Sequence, residues 1–394
     1  MNRFAKLAAI VTVGALTFAA CGGDEKAGND NTTTAQTTAG SSTSTAGAST
    51  SASESGSAGP VEITCPTGKI NGGGSSAQDI AMQALTTSYN QTCGGKGEVI
   101  YTKSGSGQGI KDFYNKQLQW AGSDSALKDK EKDGVVETEK VKQRCSNNEG
   151  WNLPLIVGPV AFAYNLDGVD KLVLTPSVIM DIFNGKITTW DHADIKALNK
   201  DATLPGDKIN VFYRDDESGT TENVSKYLKA TAPDKFTKEP SKNYFGTAGE
   251  GKKGTQGVAD AVKGTKGGFG YMEWKYAKDA QLGVSSLDNG QGAVELTAES
   301  AGKAMDVAEV TGKGNDLKVS LKYKDLGEGV YPMVMVTYEI VCSAGLPAAE
   351  AALMKDFLTY AASPQAQSTL TDQGYAPLPA TMLGKVQTAI KALK

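Results

Sequence analysis

Three short segments of the chain, each predicted to be a polar loop, combine hydroxyl side chains with glycine and lie directly before a stretch with helical spacing. They are residues 71–76 (Asn-Gly-Gly-Gly-Ser-Ser), 104–109 (Ser-Gly-Ser-Gly-Gln-Gly) and 214–220 (Arg-Asp-Asp-Glu-Ser-Gly-Thr). Glycine lets a ligand approach the backbone, and the first N–H groups of a helix lack an intrahelical acceptor and carry the positive end of its dipole. One such segment is usually only a helix cap. Three in one chain indicate a site for an anion.

The three segments differ from the usual nucleotide and nucleophile motifs. None contains Gly-x-x-x-x-Gly-Lys-Ser/Thr, and the spacing of Gly105, Gly107 and Gly109 departs from Gly-x-Gly-x-x-Gly. Ser106 and Ser218 are not in a Gly-x-Ser-x-Gly elbow.

The elements around these segments alternate between strand and helix patterns. Residues 98–102 and 208–213 are rich in β-branched and aromatic residues and predict strands, while residues 77–89 have apolar side chains at helical spacing. Thr175 and Pro176 predict the start of a second helix, and Asn184-Gly185 its end. This alternation predicts an α/β fold.

Two long apolar runs, residues 155–164 and 333–342, are typical of strands buried on both faces. Their wide separation suggests that the chain leaves one lobe and later returns to it, so that both strands cross between lobes as a hinge. The alternative is that they are unrelated core strands. Residues 61–394 exceed what a single core usually organises, which also favours two lobes.

Composition excludes several chemistries. The 394 residues include 40 Lys and Arg, 44 Asp and Glu, and one histidine, His192. A Ser-His-Asp or Cys-His nucleophile, or a cage of several histidines around a metal, would have to be built from one imidazole. The net charge of −4 gives no basic footprint for a nucleic acid. We expect no metal, no cofactor and no nucleic-acid partner.

The N-terminus predicts export and membrane attachment. Residues 1–20 have two basic residues followed by an apolar run, which is typical of a signal peptide. Small residues directly before Cys21 resemble a bacterial lipoprotein signal, in which that cysteine is lipidated and anchors the protein. The alternative is an ordinary signal peptide with a chance cysteine. Residues 21–60 are Thr, Ser, Ala and Gly-rich, and predict a disordered tether with a reach of roughly 35 Å.

Four cysteines remain after Cys21, an even number in a chain predicted to be exported, so two disulfides are expected. Three pairings are possible. We favour Cys65–Cys93, which flank one β-α unit, and Cys145–Cys342, which would join the middle of the chain to its returning strand.

Taken together, the motifs resemble the phosphate-binding component of the high-affinity phosphate ABC transporter, the Pst system. The resemblance covers residues 61–394 in register and rests on the three segments above together with Trp120-Ala-Gly-Ser-Asp124, Asn184-Gly-Lys-Ile-Thr-Thr-Trp190, Phe269-Gly-Tyr-Met-Glu-Trp274 and Gly374-Tyr-Ala-Pro-Leu-Pro379. It implies a two-lobed periplasmic-binding-protein fold, type II-like, whose lobes close on one phosphate. We assign residues 61–160 plus 335–394 to lobe I and residues 161–334 to lobe II, and expect a monomer.

The resemblance also implies a phosphate-binding set. Its members are Ser76, the N–H of Ala77, Ser106, Asp124, Arg214, Ser218, Gly219 and Thr220, with Asp216 holding the guanidinium of Arg214. Asp124 would accept the proton that phosphate still carries near neutral pH, whereas sulfate has none to donate. Two positions depart from the family: Ala77 replaces a larger apolar residue, and Glu217 replaces a common glycine. We expect the Glu217 side chain to point to solvent.

The function that follows is an extracytoplasmic receptor that binds inorganic phosphate between its lobes and delivers it to the permease subunits of an ABC transporter, without being an enzyme. Two alternatives remain open from the sequence. One is an extracellular phosphoester hydrolase with a loop serine as nucleophile, although no base or metal cluster is evident to activate it. The other is a receptor or sensor for another oxyanion.

Overall fold

The structure is a computed structural model that describes residues 62–376 and 378–394. The predicted signal peptide, Cys21 and the tether therefore lie outside the described residues. Within the described part of the chain, every helix is too short or too polar to cross a membrane.

The first group of elements alternates strand and helix, as predicted. In chain order it contains β1 (Gly68–Gly74), α1 (Asp79–Thr92), β2 (Gly97–Lys103), α2 (Ser106–Tyr114), β3 (Trp120–Ser123) and α3 (Glu137–Arg144). Strand β1 pairs in parallel with both β2 and β3. We call this group the first lobe.

A second group begins after β4 (Gly150–Tyr164). It contains β5 (Val173–Leu174), α4 (Pro176–Phe183), α5 (Ala193–Leu198), β6 (Asn210–Arg214), α6 (Gly219–Thr231), β7 (Glu250–Lys252), α7 (Gly254–Lys263), β8 (Gly268–Glu273), α8 (Trp274–Asp279) and β9 (Gly283–Val284). Strand β6 pairs in parallel with β7 and β8. We call this group the second lobe.

The remaining elements complete the two groups. They are β10 (Ser286–Asp288), β11 (Ala293–Val294), α9 (Ala298–Asp306), β12 (Glu309–Val310), β13 (Val319–Ser320), β14 (Val334–Cys342), α10 (Ala348–Ala361), α11 (Pro364–Asp372) and α12 (Ala380–Ala392). Strands β10, β11 and β5 form a small sheet, and β12 and β13 form a hairpin.

Strands β4 and β14 join the two lobes. The main sheet has the order β2-β1-β3-β14-β4-β8-β6-β7. Strand β4 is antiparallel to β14 as far as Pro159 and to β8 from Val160 onward, so one continuous strand serves both lobes. Both apolar runs are therefore crossover strands, and nearly all their side chains are buried. The lobe boundaries given above stay a prediction. The change of partner within β4, between Pro159 and Val160, supports the boundary at residue 160.

Local sequence accounts for the helix that was predicted in most detail. The Thr175 hydroxyl accepts a hydrogen bond from the N–H of Val178 at the start of α4, with Pro176 in its first turn. The helix ends at Asn184, and Gly185 follows with φ +68°. Cap, proline and terminal glycine all occupy their expected places.

The glycine run at 72–74 was wrongly predicted to be a loop, because it forms the second half of β1. The reason is steric. A Cβ at Gly72 would lie 1.9 Å from the Trp120 ring, and one at Gly109 would lie 2.4 Å from the Cα of Gly74. These glycines allow close packing of β1 against β3 and α2, where the sequence had indicated only a turn.

Two disulfides crosslink the part of the chain that the structure describes. The structure joins Cys65 to Cys93, beside α1, and Cys145, at the end of α3, to Cys342, at the end of β14. These are the pairs favoured from the sequence.

Candidate functional site

The predicted site residues lie at the carboxyl ends of parallel strands, the edge where open α/β sheets bind ligands. Ser76 and Ala77 follow β1, Ser106 begins α2 after β2, and Asp124 follows β3. From the second lobe, Arg214 ends β6, and Ser218, Gly219 and Thr220 begin α6. The two groups meet at the cleft between the lobes.

Asp124 lies at the centre of this meeting point and is 3% exposed. Its Oδ1 accepts hydrogen bonds from Ser75 (2.5 Å) and Thr337 (3.1 Å). Its Oδ2 accepts one from Thr220 (3.1 Å) and a long one from Ser106 (3.5 Å). Burial raises the pKa of Asp124, and the Ser75 hydroxyl and the positive charge of Arg214 oppose that rise.

Arg214 supplies a buried cation whose direction is fixed, since its side chain is 2% exposed. Its Nε donates to Oδ1 of Asp216 at 2.6 Å and its Nη2 to Oδ2, which is the bidentate geometry that suits a guanidinium and a carboxylate. Burial raises the pKa of Asp216, but the hydrogen bonds and charge of Arg214 outweigh it and hold that pKa below its usual range. The remaining nitrogen, Nη1, donates to Thr255 Oγ1 at 3.2 Å.

The start of α6 packs directly against Asp124. Asn223 Nδ2 donates to the Asp124 carbonyl oxygen at 2.6 Å. A Cβ at Gly219 would lie 2.6 Å from Ser106 Oγ and 2.7 Å from Asp124 Cβ, so only glycine allows this approach. Gly219 and Thr220 occupy the first positions of the helix, where N–H groups have no intrahelical acceptor. The Ser218 hydroxyl caps α6 by accepting from Thr221 N at 3.1 Å.

Ser76 and Ala77 lie on the opposite wall. Ser76 is 3% exposed and its Oγ is 3.0 Å from Thr255 Oγ1, which belongs to the second lobe. The N–H of Ala77 donates to Ser75 Oγ at 3.1 Å. In this arrangement Ser75 is the acceptor for the amide that the resemblance had assigned to phosphate.

Glu217 points away from Asp124 and pairs with Lys111 of the first lobe at 2.5 Å. The Glu217 side chain is 31% exposed, so it faces the rim of the cleft rather than open solvent. A Cβ at Gly107 would lie 2.4 Å from Glu217 Cβ, and Gly107 N donates to the Glu217 carbonyl oxygen at 2.9 Å. The extra carboxylate is thus neutralised by a lysine.

Two further ion pairs cross the cleft beside α6. Lys128 lies 2.9 Å from Glu222, and Lys242 lies 2.7 Å from Glu137. Burial raises the pKa of Glu222, but Lys226, Lys128 and Lys242 together lower it to about 2.

A buried polar network lies behind Asp124. Gln78 Nε2 donates to the Tyr101 hydroxyl (2.9 Å), which donates to the Ser75 carbonyl oxygen (2.8 Å). Next to Gln78, Glu339 accepts from Trp120 Nε1 at 2.8 Å. Burial raises the pKa of Glu339 to about 8. Oε1 of Glu339 and Oε1 of Gln78 are both buried without a hydrogen-bond partner.

Sequence reasoning missed three hydroxyl residues at this site: Ser75, Thr255 and Thr337. Ser75 lies in the first segment, one residue before Ser76. Thr255 follows Gly254 at the start of α7, and so repeats the design of the other three segments. Thr337 interrupts the second apolar run, at a β-bulge between Thr337 and Tyr338. Each had a signal in the sequence, but only the fold brings the three together.

The chemistry available here is that of oxyanion recognition. One buried guanidinium, several hydroxyls and the N-terminus of α6 can donate hydrogen bonds, while Asp124 can accept one. Among the residues that the structure describes, the one close group of three metal-type ligands is Cys65, Cys93 and Asp356, and its two sulfurs form a disulfide. His192 caps α5 by accepting from Asp194 N at 3.3 Å.

Comparison with known proteins identifies the family of the chain. The model of the PBP superfamily domain matches residues 31–365. The phosphate-binding protein PstS 3 of Mycobacterium tuberculosis is 35% identical over 398 aligned residues, which cover 100% of this chain and 99% of that protein. The phosphate-binding protein PstS 3 of Mycobacterium leprae is 36% identical over 339 residues, covering 84% of this chain and 89% of that protein.

A solved structure shares the fold. It is a high affinity periplasmic phosphate-binding protein (PfluDING) bound with phosphate at pH 8.5, with a TM-score of 0.66 and 23% identity over 82% of this chain and 93% of that one. With a full-length match to curated relatives, a matching family model and this two-lobed architecture, the chain belongs to the PBP superfamily, in the family of the Pst phosphate-binding proteins.

Proposed function

We propose that this protein is a receptor that binds inorganic phosphate in the cleft between its lobes and delivers it to an ABC transporter for uptake. The observation that carries the proposal is the convergence of Arg214, Asp124 and hydroxyls from both lobes at one buried point. An acidic protein needs such a local device to hold an anion, because its overall field is unfavourable. The names of its relatives support the same ligand.

In this proposal the phosphate oxygens accept hydrogen bonds from a set of groups on both walls. They are the hydroxyls of Ser76, Ser106, Ser218 and Thr220, the N–H groups of Ala77, Gly219 and Thr220, and the guanidinium of Arg214. To bind phosphate, the Thr220 hydroxyl and the Ala77 N–H would exchange their present acceptors, Asp124 and Ser75, for phosphate oxygens. Ser106 is well suited to this, since its Oγ accepts from Asp124 N at 3.3 Å and its own proton makes only a 3.5 Å contact. Asp216 keeps Arg214 in place. The lobes that close around the anion would be lobe I, formed by residues 61–160 together with residues 335–394, and lobe II, formed by residues 161–334.

Asp124 would distinguish phosphate from sulfate. Its Oδ2 has one good donor, Thr220, and so keeps a lone pair that can accept the proton of monobasic or dibasic phosphate. Sulfate would place an oxygen lone pair there instead. A buried charge left unpaired in this way typically costs about 2–5 kcal/mol.

We further propose that the chain is exported, cleaved before Cys21, and held at the extracytoplasmic face of the cell membrane by lipid on that cysteine. The support is the sequence pattern of residues 1–21 and the polar tether to residue 60. The folded lobes would act as a monomer and meet the permease subunits at the membrane.

The alternative of a phosphoester hydrolase has one feature in its favour, the 2.5 Å hydrogen bond between Ser75 and Asp124. We prefer the receptor because Asp124 also accepts from Thr220 and Thr337, and so serves a whole ring of hydroxyls rather than activating one.

Titration calorimetry with phosphate, arsenate, sulfate and molybdate tests the proposal. We expect stoichiometric binding of one phosphate per chain, arsenate as a competitor, and much weaker sulfate. A chromogenic phosphomonoester added to the same sample should not be turned over. Tighter binding of sulfate or molybdate would point to a receptor for another oxyanion, and turnover would favour the hydrolase.

A further inference from the structure

Thr255, at the start of α7, is one of the residues through which the two halves of the site touch each other. It is 1% exposed and belongs to the second lobe. Its N–H donates to Oγ of Ser76 in the first lobe at 3.0 Å, and its hydroxyl lies 3.0 Å from the same oxygen. Its Oγ1 also accepts from Nη1 of Arg214 at 3.2 Å. One small side chain thus contacts both a predicted hydroxyl ligand and the predicted cation.

These contacts determine which hydroxyl proton remains free to donate to a ligand. A hydroxyl has one proton to donate and two lone pairs to accept with. The Thr255 N–H fills one lone pair of Ser76 Oγ, and Arg214 fills one lone pair of Thr255 Oγ1. If the Thr255 hydroxyl donates to Ser76, both lone pairs of Ser76 are filled and its own proton is free for another acceptor. Ser76 can then act toward an oxyanion only as a donor.

The neighbouring backbone fixes Thr255 in this position. Gly254 has φ +70° and its N–H donates to Oδ1 of Asp216 at 3.1 Å, the same carboxylate that holds Arg214. The turn that presents Thr255 is therefore tied to the guanidinium it contacts, so that cation, carboxylate and hydroxyl move as one unit of the second lobe.

Resting on the proposed phosphate-receptor function, we propose that Thr255 is a positioning residue of the anion site. It directs the proton of Ser76 and one N–H of Arg214, and it forms a contact between the lobes that exists only when the cleft is closed. Removing its hydroxyl leaves a buried N–H of Arg214 without its acceptor, which is costly for a charged group. Because the contact crosses the cleft, the loss should appear mainly as faster release of the anion.

The test compares Thr255→Val, which keeps the shape and removes the hydroxyl, with Thr255→Ser, which restores it. The matched control is Thr247→Val, on the exposed surface of the second lobe. Calorimetry with inorganic phosphate and stopped-flow measurement of phosphate release are run on all four proteins, with thermal unfolding of each to confirm that it is folded.

We expect Thr255→Val to weaken phosphate binding about 10- to 100-fold, through the release rate, with arsenate weakened by the same factor. The phosphate affinity of Thr255→Ser should stay within about threefold of that of the unaltered protein. The affinity of Thr247→Val should equal that of the unaltered protein. If Thr255→Val binds phosphate normally, or if Thr255→Ser is as weak as Thr255→Val, the positioning role is wrong while the receptor function stands. If the unaltered protein binds no phosphate, the receptor function itself fails, and this inference fails with it.

Discussion

At the scale of single residues, Asp124 combines two roles that pull in opposite directions. It is a nearly fully buried carboxylate, and burial favours its neutral form. It is also surrounded by hydroxyl donors and faces the charge of Arg214, both of which favour the ionised form. An ionised Asp124 accepts only, which is the property that separates a protonated oxyanion from an unprotonated one.

Asp124→Asn should therefore narrow the preference for phosphate over sulfate, because an amide can offer a donor to sulfate. We expect the ratio of the two affinities to fall by about 30-fold or more, in line with the 2–5 kcal/mol typical of an unpaired buried charge. Competition calorimetry with both anions measures it. An unchanged ratio would show that Asp124 does not select the ligand, whatever its effect on overall affinity.

Glu339 predicts a pH dependence of stability. Its pKa is raised by burial to about 8 in the folded protein, above its usual value of 4.5, so the folded state holds a proton that the unfolded state gives up. Its stabilising contribution is complete below about pH 4.5 and is lost as the pH rises toward 8. The slope is at most about 1.4 kcal/mol per pH unit.

Glu339→Gln keeps an acceptor for Trp120 and cannot ionise, so it should flatten this decline. We expect the free energy of unfolding of the variant to exceed that of the unaltered protein by more at pH 8 than at pH 5. Denaturant unfolding at both pH values measures the difference, with the exposed Glu295→Gln as control. A pH profile parallel to that of the unaltered protein would mean that Glu339 carries no extra proton.

At the scale of elements, α6 carries several of the contacts between the lobes. Its N-terminus faces Asp124, and its Glu222 pairs across the cleft with Lys128. The preceding residue Glu217 pairs with Lys111 of α2. The contact of Thr220 with Asp124 lies at the buried centre of the cleft, whereas the pair of Lys111 and Glu217 lies at its exposed rim. Because these contacts differ in burial, they also differ in strength.

The Lys111 and Glu217 pair should contribute little to phosphate retention, because these side chains are 46% and 31% exposed. Exposed pairs are usually worth under about 1 kcal/mol. In a double-mutant cycle of Lys111→Met and Glu217→Gln, we expect the coupling to change the release rate less than about fivefold and to vanish in about 1 M salt. Lys303→Met, which breaks a pair within α9, is the control. Coupling that survives high salt would instead make this pair a main latch of the cleft.

Element prediction succeeded where the signal was local. The α4 helix was readable because cap, proline and terminal glycine are set by neighbouring residues, and the crossover strands because both of their faces are apolar. The glycines of β1 were misread because their cause, the Trp120 ring, lies far away in sequence. Thr255 was missed for the same reason, since its partners Ser76 and Arg214 come from other elements.

The site residues show the same division. The resemblance to a family named Ser76, Asp124 and Arg214, but neither spacing nor composition could have shown that their side chains meet. Ser75 lies beside another hydroxyl residue, and Thr337 lies inside a buried strand. Both were missed because only the order of the strands shows that their hydroxyls donate to Asp124.

At the scale of the whole molecule, the Cys145–Cys342 disulfide ties α3 of the first lobe to the returning strand β14. Its loop closes over a sequence separation of 197, against 28 for Cys65–Cys93. A crosslink that closes a longer loop removes more entropy from the unfolded chain.

Replacing both cysteines of the longer loop by serine should lower the free energy of unfolding by about 2–5 kcal/mol, more than replacing Cys65 and Cys93. Denaturant unfolding of the two double variants gives the order, after a peptide map under non-reducing conditions has established the pairing. If removal of Cys65–Cys93 lowered the free energy of unfolding more, the length of the closed loop would not determine how much each disulfide stabilises the fold.

The continuous strand β4 and its late partner β14 also set the order in which the two lobes can form as the chain emerges. A chain that emerges N-terminus first can complete the second lobe from a single stretch, but the first lobe lacks β14, the strand between β3 and β4, until the last part of the chain arrives. Cys65 can oxidise with Cys93 early, while Cys145 must wait, as a free thiol, for a partner 197 positions later. The anion cleft is therefore completed in the final stage of folding, because a chain that ends before β14 lacks both the strand that pairs with β3 and β4 and the Thr337 hydroxyl that donates to Asp124.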